Sequence, residues 1–243
     1  VTAPVFLADR AQLTADAVVL AGPEGRHAAT VRRIRPGELV DLTDGAGLVA
    51  RCVVHAAVAG RLELRVLSRR SEPPSQPSLV AVQAILKGGR ADLAVEMMTE
   101  VGVDVIVPWA AQRSVPRWPG ERGTRAATRW RDTAREAAKQ ARRAWLPEVT
   151  EPASTDDVIG RIAGAARAVV LDPGAVARLA DVPLPRSGEV VMVAGPEGGL
   201  TDAEIEACAA AGAVPVRLGP AVLRASTVSA VAAAVLLTRC GRW

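Results

Sequence analysis

The chain reads as an α/β protein in two parts, a small β-barrel followed by a mainly parallel sheet wound with helices. Residues 1 to about 70 carry several short apolar strands at close spacing, separated by glycine turns, which is the pattern of a small barrel. From about residue 79 to the end, strand-like and helix-like segments alternate, as the βα units of a parallel sheet require. Between the two lies Arg69–Ser78 (RRSEPPSQPS), where three prolines and three serines fall within ten residues, a composition that suits a connector. The expected division is 1–70, a connector over 71–78, and 79–243.

In the first part the expected strands are Val5–Leu7, Ala17–Leu20, Leu39–Leu42, Leu48–Val54 and Arg61–Leu67. Asp44-Gly45 with Gly47 marks a hairpin and Ala59-Gly60 a second turn. Only Gly25–Ile34 looks helical. Arg26, His27, Arg32, Arg33 and Arg35 crowd into ten residues, which describes either a solvated turn or a basic contact patch. His27 has no carboxylate or cysteine at ligand spacing, so no metal is expected there.

The second part opens with a strand over Leu79–Leu86, then Lys87-Gly88-Gly89-Arg90 and a helix over Ala91–Val101. The next strand, Val103–Pro108, runs into Gln112-Arg113-Ser114-Val115. Lys87 and Arg113 thus leave neighbouring strands at one end, as a pair for holding a phosphate or as ordinary strand-end charges. Arg122–Arg143 reads as a long helix ended by Pro147, with Arg131, Arg135, Lys139 and Arg142 on one face. Such a face is solvated or meets a partner. Asp156–Ala163 is helical, and the strand Ala168–Leu171 ends in Asp172-Pro173.

The most informative stretch is the C-terminal one. Glu189–Ala194 (EVVMVA) is a short apolar run, the pattern of a buried strand, and it feeds directly into Gly195-Pro196-Glu197-Gly198-Gly199. Glycines around a Pro-Glu pair make a tight turn whose backbone another molecule can approach closely. Thr201 and Glu204 fit a capping box, so a helix begins at about Asp202. Val214–Leu218 then leads into Gly219-Pro220 and Val222-Leu223-Arg224, and an apolar helix covers Ala230–Leu237. Two such loops at strand C-termini imply one small-molecule site. A single GPEG is a weak signature, since Gly22–Gly25 repeats it. The ordered pair, GPEGG and then LGPAVLR, is more specific.

Composition narrows the partners. The formal charge is +4 and the sequence pI about 9.6, and Lys87 and Lys139 are the only lysines among 30 basic residues. Arginine suits phosphates and stacked bases, and the same bias also arises from genome composition. Cys52, Cys208 and Cys240 are odd in number and sit in apolar surroundings, which reads as reduced core thiols of a cytosolic protein without disulfides or zinc. No signal peptide is apparent, and no run reaches the length of a membrane span.

The pair GPEGG (195–199) and LGPAVLR (218–224) resembles the SPOUT methyltransferases, in particular the RsmE-type enzymes that methylate N3 of a uridine in 16S ribosomal RNA. TEVGV (99–103), QRSV (112–115) and Glu136-Ala137 with Gln140 and Arg143 are similar to further family stretches, as is His27 with the basic residues after it. The chain departs from the pattern at Ser226, where the family has Glu. The resemblance implies a trefoil-knotted domain preceded by a PUA-like, RNA-binding barrel, S-adenosylmethionine as cofactor, ribosomal RNA or the small subunit as partner, and a homodimer in the cytoplasm. It implies a cofactor site built from Leu171, Gly195, Glu197, Gly198, Gly199, Leu218, Gly219, Leu223 and Ser226. It also implies RNA contacts from Arg10, His27, Arg32, Arg33, Lys87, Arg113 and Arg143, the last shared with a dimer-contact reading. For the chemistry, Arg224 would favour the anionic base and Glu197 would accept its proton, though Glu197 could equally cap the following helix. Two alternatives stand beside this one: a SPOUT enzyme with another acceptor atom, and a non-catalytic RNA-binding assembly factor. A Rossmann dehydrogenase is disfavoured, because no GxGxxG opens the first βα unit.

Overall fold

The computed structural model describes residues 3–58 and 60–243. Ala59, half of the expected second turn, lies outside the described residues, while Gly60 adopts the left-handed φ of 76° such a turn requires. The first sheet comprises Val5–Leu7 (β1), Ala17–Leu20 (β2), Leu39–Thr43 (β3), Leu48–Val58 (β4) and Arg61–Ser71 (β5). Its order is β1-β3-β4-β5-β2, with β1 parallel to β3 and every other pair antiparallel. The five expected strands are therefore all present, in one mixed sheet. Along β3 to β5 the inward positions bring Leu42, Cys52, Leu62 and Leu64 onto Phe6 and Leu13, forming a closed apolar core.

Local structure in this unit is richer than periodicity indicated. A short helix, Arg10–Leu13 (α1), starts after Asp9, whose amide donates to the Gln12 side chain at 3.2 Å. The stretch expected as one helix divides into Gly22–Arg26 (α2) and a π-helical turn over His27–Val31. Strand β5 continues to Ser71, so the connector is shorter than its composition suggested. The cause is Arg69, whose guanidinium donates to the carbonyls of Leu13 (2.7 Å) and Ala15 (2.7 Å) and holds the strand in register.

The second sheet contains Ser78–Ala84 (β6), Val105–Trp109 (β7), Glu148–Val149 (β8), Arg167–Leu171 (β9), Glu189–Ala194 (β10) and Ala213–Val216 (β11). All its pairings are parallel, in the order β11-β9-β10-β6-β7-β8. Helices Gly89–Val101 (α3), Gly120–Gln140 (α4), Thr155–Gly164 (α5), Asp202–Ala210 (α6) and Ala225–Arg239 (α7) connect and cover it. Side chains of α3, α4 and α7 share one apolar cluster with one face of the sheet, and those of α5 and α6 share another with the opposite face. Coverage on both faces explains why β10 is an unbroken apolar run rather than an alternating one.

The chain divides into two compact units, residues 1–74 with 138–146, and residues 75–137 with 147–243. The long helix therefore ends within the first unit. It stops at Gln140, and Arg142 takes a left-handed φ of 56°, so Arg142 leaves the helical face expected for it and Arg143 falls beyond the helix. Lys139, on a face expected to be solvated or to meet a partner, is buried. The last helix begins at Ala225, five residues before the expected Ala230, since Ala-Ser-Thr-Val-Ser forms its first turn.

Candidate active site

In a parallel sheet the loops after the strands emerge together at the carboxyl ends. Here β11, β9 and β10 are adjacent, so the segments after Val216, Leu171 and Ala194 lie side by side. They enclose a cavity of about 360 Å³, within the size range of small-molecule sites. Leu171, Leu218 and Leu223 supply apolar wall, and Gly195, Glu197, Gly199 and Gly219 line it as well. Arg224 also faces it, as the residue preceding the first turn of α7.

The glycines are there for space and for backbone shape. A Cβ on Gly195 would lie 2.9 Å from Leu200 Cγ and 3.2 Å from Leu200 N, so no side chain fits without displacing the loop. Pro196 accepts a hydrogen bond from Gly199 N at 2.9 Å, closing a tight turn, and Gly199 takes a left-handed φ of 71°. Thr201 and Glu204 then cap α6 reciprocally. The Glu204 amide donates to the Thr201 hydroxyl (3.2 Å), and the Thr201 amide donates to the Glu204 carboxylate (2.9 Å).

Two of the expected cofactor residues lie off the cavity wall. Gly198 faces Arg113, whose Cβ would be 3.4 Å from a Cβ placed there. Ser226 is buried in the first turn of α7 and is absent from the lining. Conversely, Arg90, Arg217 and Val228 line the cavity without having been singled out for it. The available signal for Arg90 was its position directly after two glycines at a strand end. Arg217 was hidden by its partners, the carbonyls of Ala175 (2.8 Å) and Val176 (2.6 Å).

Charge at the cavity is organised by neighbouring loops. Glu197 Oε1 accepts a hydrogen bond from the Lys87 amide at 3.2 Å, so the loop after β6 is tied to the glycine loop. Among the described residues no partner engages Glu197 Oε2 or the Arg224 guanidinium. Lys87 itself is exposed. Arg113 is occupied with the glycine loop, donating to the carbonyls of Gly198 (3.2 Å) and Leu200 (3.0 Å).

The remaining expected RNA contacts lie in the first unit. Arg10 is paired with Asp44 at 2.8 Å. His27 packs edge-on against Phe6, with ring centroids 6.0 Å apart, and lines a small cleft with Arg32 and Arg142. Arg33 is exposed with a left-handed φ of 53°. Arg143 lines a neighbouring cavity of about 180 Å³ with Arg51, Arg70 and Arg142. Asp41, the acidic residue of that cavity, is held by Arg51 in a two-point ion pair at 2.8 and 2.9 Å. This pairing raises the Arg51 pKa above its ordinary value and keeps the Asp41 carboxylate engaged.

Comparison with known proteins agrees with this arrangement. A family model described as an RNA methyltransferase domain matches residues 73–237, and one described as an RNA methyltransferase PUA domain matches residues 20–67. The ribosomal RNA small subunit methyltransferase E of Mycobacterium tuberculosis is 44% identical over 245 residues, covering 99% of this chain and 94% of that protein. The protein of the same name from Bacillus subtilis is 27% identical over 216 residues, covering 86% of this chain and 84% of its own. A putative methyltransferase from Legionella pneumophila, solved with its cofactor S-adenosylmethionine bound, superposes with a TM-score of 0.88 at 25% identity over 98% of each chain. The glycine-lined cavity at the strand ends, the mixed sheet before it and these matches across nearly the whole length lead to one conclusion: the chain belongs to the ribosomal RNA small subunit methyltransferase E family of RNA methyltransferases.

Proposed function

We propose that the enzyme methylates N3 of a uridine in small-subunit ribosomal RNA, with S-adenosylmethionine as donor, in the cytoplasm and as a homodimer. The observation that carries this reading is the meeting of Arg224 and Glu197 on the wall of one largely apolar cavity built by the GPEGG and LGPAVLR loops. The cavity suits the donor. It has the volume for a nucleoside-sized group, leucine side chains for the faces of an adenine, and backbone exposed at glycines for its edge. When bound, S-adenosylmethionine supplies an electrophilic methyl carbon on a sulfonium.

The protein has three tasks. First, N3 of uracil carries a proton that must leave before its lone pair is available, and the Arg224 cation favours the anionic base. Second, the proton needs an acceptor, and Glu197 Oε2 is a carboxylate oxygen at the cavity whose partner oxygen is fixed by the Lys87 amide. Third, the base must be turned out of folded RNA to present its Watson–Crick edge. Arg32, Arg33 and His27 are the residues we assign to holding that RNA by its phosphates, together with Lys87 and Arg143. Ser226 and Gly198 are kept in the site only as supports for the wall, since neither lines it.

The test has two stages. Calorimetry with S-adenosylhomocysteine should show saturable binding to the purified protein. Incubation with S-adenosylmethionine and small ribosomal subunits lacking the modification should then yield 3-methyluridine on nucleoside mass spectrometry. A methylated ribose or guanine instead would move the enzyme to another acceptor, and absence of cofactor binding would favour the non-catalytic assembly factor.

A further inference from the structure

We infer that Arg113 is a positioning residue for the cofactor loop rather than an RNA contact. The inference rests on reading the 360 Å³ cavity as the cofactor site. After β7 the chain runs alongside the glycine loop, and two consecutive residues grip it. The Gln112 amide donates to Glu204 Oε1 at 2.7 Å, which is the same carboxylate that caps α6 through its other oxygen. Arg113 reaches with one guanidinium nitrogen to the carbonyls of Gly198 and Leu200, on either side of the left-handed Gly199. Its aliphatic stem packs on the open face of Gly198, where a Cβ would meet Arg113 Cβ at 3.4 Å and Cδ at 3.8 Å.

These contacts act on the part of the loop that has the least intrinsic order. Gly198 and Gly199 lack side chains to hold them, and glycine loses more backbone entropy on ordering than any other residue. Turning both carbonyls toward one cation fixes the Gly198–Gly199 and Leu200–Thr201 peptide planes, which bracket the Gly199–Leu200 peptide. The opposite side of that loop, at Gly195, Glu197 and Gly199, is the cavity wall. Arg113 therefore sets the shape of the site from behind, without lining it. The brace is itself braced, because Arg117 donates to the carbonyls of Ala111 (3.2 Å) and Gln112 (3.1 Å). Hydrogen bonds from a charged donor are the stronger ones, and a preorganised loop binds its ligand without first having to be ordered.

The variants are Arg113→Ala and Arg113→Lys in the full chain. Each is titrated with S-adenosylhomocysteine by calorimetry and with a small-subunit RNA fragment over a range of salt, while hydrogen exchange follows the Gly199 and Leu200 amides. We expect Arg113→Ala to bind S-adenosylhomocysteine about tenfold or more weakly, with faster exchange at those two amides, and with RNA affinity and salt slope unchanged. Arg113→Lys, which keeps a donor but loses the planar fork, should fall between it and the parent. Unchanged cofactor affinity together with a shallower salt slope would make Arg113 a phosphate contact and overturn the proposal. If the parent protein itself binds no S-adenosylhomocysteine, it is the assignment of the cavity that fails, and unchanged loop exchange in Arg113→Ala would then sink the bracing role independently.

Discussion

Lys139 Nζ lies 2.9 Å from Glu24 Oε1, and the lysine side chain is 4% exposed. The other oxygen of Glu24 accepts the Leu7 amide at 3.2 Å, so the pair joins α2, β1 and the end of α4 inside one unit. Removing one partner leaves the other charge in a poor solvent, a loss on the order of 3 kcal/mol. Lys139→Met alone should lower urea-denaturation stability by about that much. Lys139→Met with Glu24→Gln should recover part of it, and a double variant no better than the single would mean the loss is one of packing.

The C-terminal end carries a second two-point pair. Arg242 donates to Asp104 at 2.6 and 3.0 Å and also to the carbonyls of Pro77 (3.1 Å) and Gly102 (3.2 Å). Arg242→Ala should destabilise the second unit by about 2 kcal/mol, the scale of charge-assisted hydrogen bonds. Thermal melting would check this, with S-adenosylhomocysteine affinity measured well below the melt expected to hold.

Gly195→Ala asks for room that the loop lacks, because the new methyl would lie 2.9 to 3.2 Å from three atoms of Leu200. Leu200 borders the cavity, so its displacement is transmitted to the site. S-adenosylhomocysteine binding should weaken about tenfold, equivalent to about 1.4 kcal/mol, with circular dichroism unaltered. Parent-like affinity would show that the loop yields without consequence for the pocket.

Burial pushes the Cys52 and Cys208 thiols up to about 11 from an ordinary 9.0, with Asp41 and Glu204 adding to the effect. In the folded chain both stay protonated well above pH 9, while the unfolded chain ionises there. Unfolding then releases protons, so stability should hold below about pH 9 and decline as pH rises toward 11. Denaturation at stepped alkaline pH would show this, and the double Cys→Ala variant should flatten the decline. At pH 8 neither thiol of the folded protein should react readily with an aromatic disulfide reagent.

Arg33→Ala tests the first unit. Loss of one phosphate contact should weaken RNA binding across sequences and lower the salt slope by about one unit of counterion release. An unchanged slope in filter binding would return this arginine to the role of a solvated turn residue.

The sequence disclosed the parallel sheet because strands covered on both faces are written as unbroken apolar runs, EVVMVA being the plainest. It disclosed the capped start of α6 because Thr201 and Glu204 are three residues apart and act locally. Charges were harder to read. A helical period shows which residues share a face but not what that face meets, and Lys139 finds Glu24 at a sequence separation of 115. The partners of Arg113 and Arg10, two backbone carbonyls and Asp44, were out of reach of any local pattern because they are remote in sequence. The left-handed Arg142 carries no signal at all, since an arginine seldom adopts that backbone. Gly198 and Ser226 were placed by motif, and a motif gives position along the chain without saying which way a residue faces.

The order of strands also governs how this protein must be made. Strand β6 emerges from the ribosome long before β10, its neighbour in the sheet, and the anchor on Asp104 comes from Arg242, at a separation of 138 residues. The first unit is no more self-sufficient, for residues 138–146 belong to it. Neither unit can close while its early strands are leaving the exit tunnel. Apolar segments such as Leu79–Ala84 must wait, unpaired, for chain that has yet to be synthesised. A fold so dominated by distant pairings gains its structure late and slowly, and its nascent form is the stage at which holding chaperones would matter most.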